Sequence, residues 1–120
     1  MSEIILHVAS LDAFFAHALA SARRIDAGDY TPETPRIGFQ SIEELWRTMS
    51  PERWDLLEKL QHAGPTMPDA LAQRLGRDAD MVAADVKELS WLGLIESDEE
   101  GRLHVPWSKI TAEVSIANAA

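Results

Sequence analysis

Apolar residues recur at the three-to-four-residue spacing of an α-helix in several stretches of the chain, and most stretches carry their own start or stop signal. The first predicted helix runs from Ser10, a good capping residue, to about Ala27, and Gly28 ends it. Its apolar stripe consists of Leu11, Phe14, Phe15, Ala18, Leu19, Ala22 and Ile25. Because water disfavours such a stripe, we expect it to pack within the monomer, against a second copy or against another protein.

Further helices are predicted at residues 41–49, 50–63, 66–76 and 78–93. Ser41 and Glu44 have the spacing of a capping box. Thr66 with Asp69 is expected to begin the helix at 66–76, and Asp78 is expected to cap the helix at 78–93. Local signals therefore define most of the helix boundaries.

A smaller part of the chain has β-type patterns. Residues 3–8 are predicted to form a short strand, residues 36–40 a short extended segment, and residues 109–116 one more strand. Residues 94–97 and 102–105 are predicted to form a hairpin around a turn. Pro32 and Pro35 mark a linker. We therefore divide the chain into an N-terminal strand-and-helix extension with its linker (1–35), for dimerisation or partner binding, and a second domain (36–120).

The helices at residues 66–76 and 78–93 have the features of a helix-turn-helix. Ala72 is small, as a residue must be where two helices cross closely, and Gly76 lies where the backbone leaves the helix. Val82 can fill the space between the helices, and the hairpin follows directly, as in the winged variant. The predicted fold class is mainly α with a small β wing. It combines a winged helix-turn-helix at residues 36–120 with the N-terminal strand–helix extension.

A winged helix-turn-helix presents its second helix to a DNA major groove, so double-stranded operator DNA is the expected partner. The expected DNA-contact residues are Arg74, Arg77, Asp80, Ala83, Ala84, Lys87 and Arg102. The cations are candidates for phosphate contacts, and the two alanines for contacts to thymine methyl groups. The residue types that usually read bases are absent from Asp78 to Val86, so base reading by this helix is expected to be weak.

The charge of the chain opposes strong binding to a polyanion. It carries 20 acidic and 11 basic residues, for a net charge of −9. Because nucleic-acid affinity depends mainly on neutralising phosphates, we expect low non-specific affinity for DNA. Asp80, Asp85 and Glu88 would suit a basic protein, so the alternative function is a protein-interaction module. The expected dimer or partner interface consists of Phe14, Phe15, Leu19 and Trp91.

Four segments of the sequence resemble a group of small prokaryotic MarR-like DNA-binding regulators. They are FQSIEELWRTMSPERWDLLEKL at 39–60, LGRD at 75–78, DVKEL at 85–89 and LGLI at 92–95. Members often look like the antitoxin half of a toxin–antitoxin pair. The resemblance implies a transcriptional regulator that represses its own operon and neutralises a cognate toxin. The chain departs from the family after Asp78, because it has Ala79, Asp80 and Met81 where polar or basic residues are usual.

Dimerisation is expected on two grounds. The apolar stripe of the first helix needs a cover, and an operator with two half-sites matches a two-fold symmetric protein. The leading interpretation is thus a homodimeric, antitoxin-type repressor, and the alternative is a toxin-neutralising module with weak or no DNA binding of its own.

Enzymatic and metal chemistry are not expected. Cysteine is absent, which excludes disulfides, thiolate zinc sites and thiol catalysis. His7, His17, His62 and His104 lack metal-ligand spacing, and no phosphate loop or nucleophile elbow is present. We therefore expect no catalytic residue and no cofactor. The longest early apolar run, residues 4–6, is too short for a signal sequence or a membrane span, so we expect a cytoplasmic protein without membrane contact.

Overall fold

The computed structural model describes residues 2–9, 11–30 and 33–114, and within the first helix it describes side chains from residue 15 onward. Contacts divide the chain into two compact units. The helical unit is centred on Met49–Ser108 and takes in Ser2, whereas the sheet unit joins Glu3–Thr48 to the segment that begins at Lys109. In chain order the elements are β1 (Glu3–Val8), α1 (Leu11–Asp26), β2 (Arg36–Phe39), α2 (Ile42–Thr48), α3 (Pro51–Ala63), α4 (Pro68–Leu75), α5 (Ala79–Trp91), β3 (Glu96–Ser97), β4 (Leu103–His104) and β5 (Lys109–Glu113).

The architecture of the described residues is mixed α/β, with five helices, a three-stranded parallel sheet and a small antiparallel hairpin. The predicted helices and hairpin are confirmed, except that the helix predicted at 66–76 begins later, at Pro68. The expectation of a mainly α chain needs correction, because the predicted strands at 3–8 and 109–116 and the extended segment at 36–40 pair with one another in one sheet. The strand predicted at 109–116 ends at Glu113, and residues 115–116 lie outside the described residues. In the described part of the chain, no helix combines the length and the apolarity needed to cross a membrane.

The sheet unit is built around β1, which lies between β2 and β5 and runs parallel to both. α1 provides the crossover that a parallel β1–β2 pair requires. The buried apolar side chains of this unit are Ile4, Leu6, Phe39 and Leu45. His7 lies in register with Gly38 on one side and Glu113 on the other. Because side chains alternate between the faces of a strand, β1 has one apolar face with Ile4 and Leu6 and a second, more polar face with His7.

The helical unit packs α3, α4 and α5 around an apolar core and ends in the β3–β4 hairpin. Its buried side chains are Met49, Leu56, Leu57, Leu60, Leu71, Ala72, Val82, Leu89, Leu94, Ile95 and Leu103. The predicted Ser50–Pro51 start of α3 is confirmed, because the hydroxyl of Ser50 accepts a hydrogen bond from the N–H of Arg53 at 3.4 Å.

Thr66 does not begin a helix, contrary to the prediction. Its N–H donates to the carbonyl of Leu103 at 2.9 Å, and its carbonyl accepts from the N–H of Leu103 at 2.8 Å. Thr66 therefore adds a third short segment to the hairpin, and both of its backbone groups are used there. α4 begins instead at Pro68, whose fixed φ suits the first helical position, after Met67, which makes no side-chain capping bond.

The joint between α4 and α5 depends on a left-handed residue at Gly76. Its φ is 65° and its ψ is 34°, a conformation that residues with a Cβ rarely adopt. The N–H of Arg77 then donates to the carbonyl of Ala72 at 3.2 Å, which closes the end of α4. The carboxylate of Asp78 accepts from the N–H groups of Asp80 and Met81 at 2.8 and 3.3 Å, which confirms the predicted cap of α5.

Replacement of Gly76 by alanine should lower the free energy of unfolding by about 1 kcal/mol, because a left-handed residue with a Cβ is strained. An added Cβ would meet nothing within 4 Å, so the loss is conformational and not steric. Urea denaturation followed by far-UV circular dichroism measures it. Gly38→Ala is the matched control, because Gly38 does not have a positive φ. Equal losses in both variants would contradict a special role for the joint.

Candidate functional site

Helix α5 has a buried side and an exposed side, as its sequence predicted. Val82 and Leu89 are buried and Val86 is half-buried. The exposed side carries Asp80, Ala83, Ala84, Lys87, Glu88 and Trp91, and we call it the outer face of α5. The predicted contact residues of α5 therefore share one exposed surface.

Asp85 was predicted to face a partner together with Asp80 and Glu88. In the structure it lies between two arginines instead. Its Oδ1 accepts a hydrogen bond from Nε of Arg53 on α3 at 3.1 Å. Its Oδ2 accepts one from Nη2 of Arg77, in the turn before α5, at 2.7 Å. The side chain of Asp85 is 15% exposed, and those of Arg53 and Arg77 are 18% and 22% exposed. We call these three residues the Asp85 cluster. It carries one net positive charge.

The Asp85 cluster changes the electrostatics of the outer face. A carboxylate held between two guanidinium groups repels an approaching phosphate far less than a free one would. Asp80 and Glu88 remain as exposed acids of α5, and Lys87 and Arg74, which lies in the last turn of α4, are exposed cations. The net charge of the surface near the α4–α5 joint is therefore less negative than the number of acidic residues in α5 predicted.

Arg77 lies in the Asp85 cluster, whereas the sequence analysis placed it among the phosphate contacts. Its Nη1 is buried and has no hydrogen-bond partner among the described residues. Because a buried donor without an acceptor is unfavourable, the carboxylate of Asp85 is the main compensation for bringing this guanidinium out of water.

The hairpin has an acidic tip, and its arginine is engaged there. Nε of Arg102 donates to the carboxylate of Asp98 at 2.8 Å, and the same guanidinium pairs with Glu100. Desolvation by itself would raise the pKa of Asp98, but hydrogen bonds from the backbone and side chain of Arg102 and from the N–H of Glu100 outweigh it and lower that pKa. A phosphate would have to compete with two carboxylates for Arg102.

The predicted interface residues lie on two different elements. Phe15 and Leu19 on α1 are 61% and 53% exposed, and Trp91 at the end of α5 is 80% exposed. The side chain of Phe14 lies outside the described residues. Met81, on α5, is also exposed, and it was not among the predicted interface residues.

Two positioning residues escaped sequence reasoning. Arg53 is 32 positions from Asp85, and no local pattern links them. Trp107 donates its indole N–H to the carbonyl of Gly93 at 2.7 Å, which holds the segment just after α5. Both contacts depend on tertiary structure. In the described part of the chain, no three His, Asp or Glu side chains form a group that could hold a metal ion.

Replacement of Asp85 by asparagine should lower the free energy of unfolding by roughly 1–3 kcal/mol, because it removes the charge that both arginines use and leaves them half-buried. Thermal or urea denaturation measures the change. Glu88→Gln removes one exposed acid from the same helix and should leave stability within about 0.5 kcal/mol of the natural protein. If Asp85→Asn were as stable as Glu88→Gln, the Asp85 cluster would not hold α5 in place.

Comparison with known proteins assigns the chain to a family. Neither a curated protein nor a solved structure matches the chain. One family model, described as HVO_A0114, matches residues 48–112. That match spans α3, α4, α5 and the β3–β4 hairpin, the elements that build the outer face and the Asp85 cluster. The chain belongs to the HVO_A0114 family.

Proposed function

We propose that residues 48–112 form a winged helix-turn-helix that binds double-stranded DNA, and that the protein is a cytoplasmic transcriptional regulator. In this proposal the outer face of α5 enters the major groove, and the β3–β4 hairpin is the wing beside it. The observation that carries it is the exposed outer face of a helix whose central acid, Asp85, is neutralised from within by Arg53 and Arg77.

The proposed contacts follow from exposure and chemistry. Arg74 and Lys87 are exposed cations on either side of the joint and would contact phosphates. Ala83 and Ala84 are exposed and would allow close approach to thymine methyl groups. Arg77 would act indirectly, because it positions α5 through Asp85 instead of reaching the DNA itself.

The proposed affinity is modest and depends strongly on pairing of two protomers. If Arg74 and Lys87 of each protomer contact phosphates, a homodimer makes about four phosphate contacts. The logarithm of the binding constant should then fall with the logarithm of the salt concentration with a slope of about −4. The exposed apolar side chains of α1, Phe15 and Leu19, are the proposed dimer contacts.

Fluorescence anisotropy with a labelled duplex from the chain's own upstream region, at low salt, tests this function. Lys87→Gln and Arg74→Gln should each weaken binding several-fold and reduce the salt slope. Asp80→Lys should strengthen binding, because it adds a cation to the outer face. Arg47→Gln, on α2, is a charge-matched control that should leave affinity unchanged, because its side chain is 73% exposed and belongs neither to α5 nor to the proposed dimer contacts.

Two results would contradict the DNA-binding function. One is the absence of saturable binding at low salt by the folded protein. The other is an equal loss of affinity in Arg47→Gln and Lys87→Gln, which would mean that binding depends only on net charge. Asp85 is left intact in these tests, because its substitution should disturb the fold.

A second candidate function, binding of a basic protein such as a cognate toxin, is favoured by the apolar exposure of α5. Trp91 and Met81 are 80% and 63% exposed, and large exposed aromatic residues are typical of protein interfaces. In this function the protein is an antitoxin, and it can also repress its own operon.

Charge reversal on the outer face separates the two functions. Asp80→Lys combined with Glu88→Lys should strengthen DNA binding, but it should weaken a complex with a basic protein. Trp91→Ala should weaken the protein complex by about tenfold or more, as expected for an aromatic anchor. Isothermal titration with the product of the neighbouring gene measures both effects. If that product does not bind, or if both variants bind it like the natural protein, the second function is wrong.

A further inference from the structure

The sheet unit contains a cavity of about 650 Å³ that the DNA-binding function does not use. Its walls come from β1, β2, α1 and the segment just before β2. Its size falls within the range of small-molecule sites. It borders the carboxyl end of β1, at residues 7–9, and the start of β2, at Arg36.

Gly38 lines the cavity on the side of the sheet, where it has no side chain to fill the space. It lies within β2, in register with His7, and a Cβ added there would be 3.4 Å from Cβ of Ala9 and 3.8 Å from Nε2 of His7. Its φ is not positive, so the backbone does not require glycine. A glycine inside a strand marks a bulge, a bend or the close approach of a ligand or backbone, and here its missing side chain leaves room beside Nε2 of His7.

Arg36 supplies the positive charge of the cavity. Its Nη1 lies 3.7 Å from the carboxylate of Glu113, which is longer than a hydrogen bond, so a ligand can bind its donors at better geometry. Burial, followed by the nearby charge of Arg36, lowers the pKa of His7. The imidazole is therefore neutral near pH 7 and adds no charge to the wall of the cavity.

Glu33, on the opposite wall, is already satisfied. It accepts hydrogen bonds from Ser21 at 2.8 Å and from His17 at 3.1 Å, and it pairs with the guanidinium of Arg24. The hydrogen bond from Ser21 is the largest influence that lowers the pKa of Glu33, and His17 and Arg24 add to it. This carboxylate is therefore fixed as an anion within its own network, and it does not need a cationic ligand.

We propose that this cavity binds a small monocarboxylate with an apolar chain, whose carboxylate contacts Arg36 and His7 beside Gly38. Arg36 has a long, exposed ion pair with Glu113, and it is one cation beside a neutral imidazole, so a monoanion fits better than a phosphate dianion. The apolar parts of the wall, at Ala9 and Pro35, would contact the chain of the ligand. The inference does not depend on the proposed DNA-binding function.

Titration of the full-length, isotope-labelled protein with octanoate, followed by NMR, tests the site. We expect saturable shifts of the His7 imidazole and the Gly38 amide at millimolar octanoate. 1-Octanol, which has the same chain without the charge, should bind about tenfold more weakly or worse. Octyl phosphate should also bind more weakly, because the site offers only one positive charge.

Two variants locate the binding. Arg36→Gln should weaken octanoate binding about ten- to a hundredfold, because it removes a charged hydrogen-bond donor. Gly38→Val should abolish binding by filling the space beside His7. Arg23→Gln, which removes a cation from α1 outside the cavity wall, should bind octanoate like the natural protein. Circular dichroism verifies that each variant is folded.

Three results would overturn the proposal: no saturable shift at His7 and Gly38, equal or tighter binding of octanol or octyl phosphate, or undiminished binding by folded Arg36→Gln. If Gly38→Val fails to fold, the wild-type titrations and Arg36→Gln still decide the question.

Discussion

The orientation of α5 depends on the two ion pairs that the carboxylate of Asp85 makes with Arg53 and Arg77. The carboxylate joins α3, through Arg53, to the turn before α5, through Arg77, and both bonds are shielded from water on a side chain that is 15% exposed. Partly buried charge pairs are stable only when their geometry is good and their partners are present. Because Arg53 and Arg77 neutralise this carboxylate, the contact that orients α5 also prevents Asp85 from adding negative charge near the outer face.

Sequence reasoning predicted the elements whose signals are local. The Asp78 cap, the Gly76 turn and the apolar side of α5 are each encoded within a few residues, and the structure confirms them. It was wrong about Thr66, because the β-pairing of that residue with Leu103 overrides a good capping side chain. The helix-capping preference of a residue does not decide its structure where a tertiary contact satisfies the same backbone groups.

The remaining features depend on distant pairings that a single sequence does not specify. The strand at Lys109–Glu113 pairs with β1, more than a hundred residues earlier, and this pairing turns separate strand predictions into a parallel sheet. The Asp85 cluster is formed in the same way, by residues that share no local motif. Asp85, predicted from the sequence to be a surface charge, is therefore a counterion within the fold. The cavity beside Gly38 likewise exists only because β2 pairs with β1.

The most direct measurement of the account's central claim is residue-level mapping of the surface that meets DNA. In an NMR titration of the labelled protein with an operator duplex, the amides of Ala83, Ala84 and Lys87 should shift strongly. Those of the sheet strand Glu3–Val8 should not. Shifts that spare the outer face of α5 while the duplex is bound, or no shifts at saturating duplex and low salt, would contradict the claim that this face reads DNA.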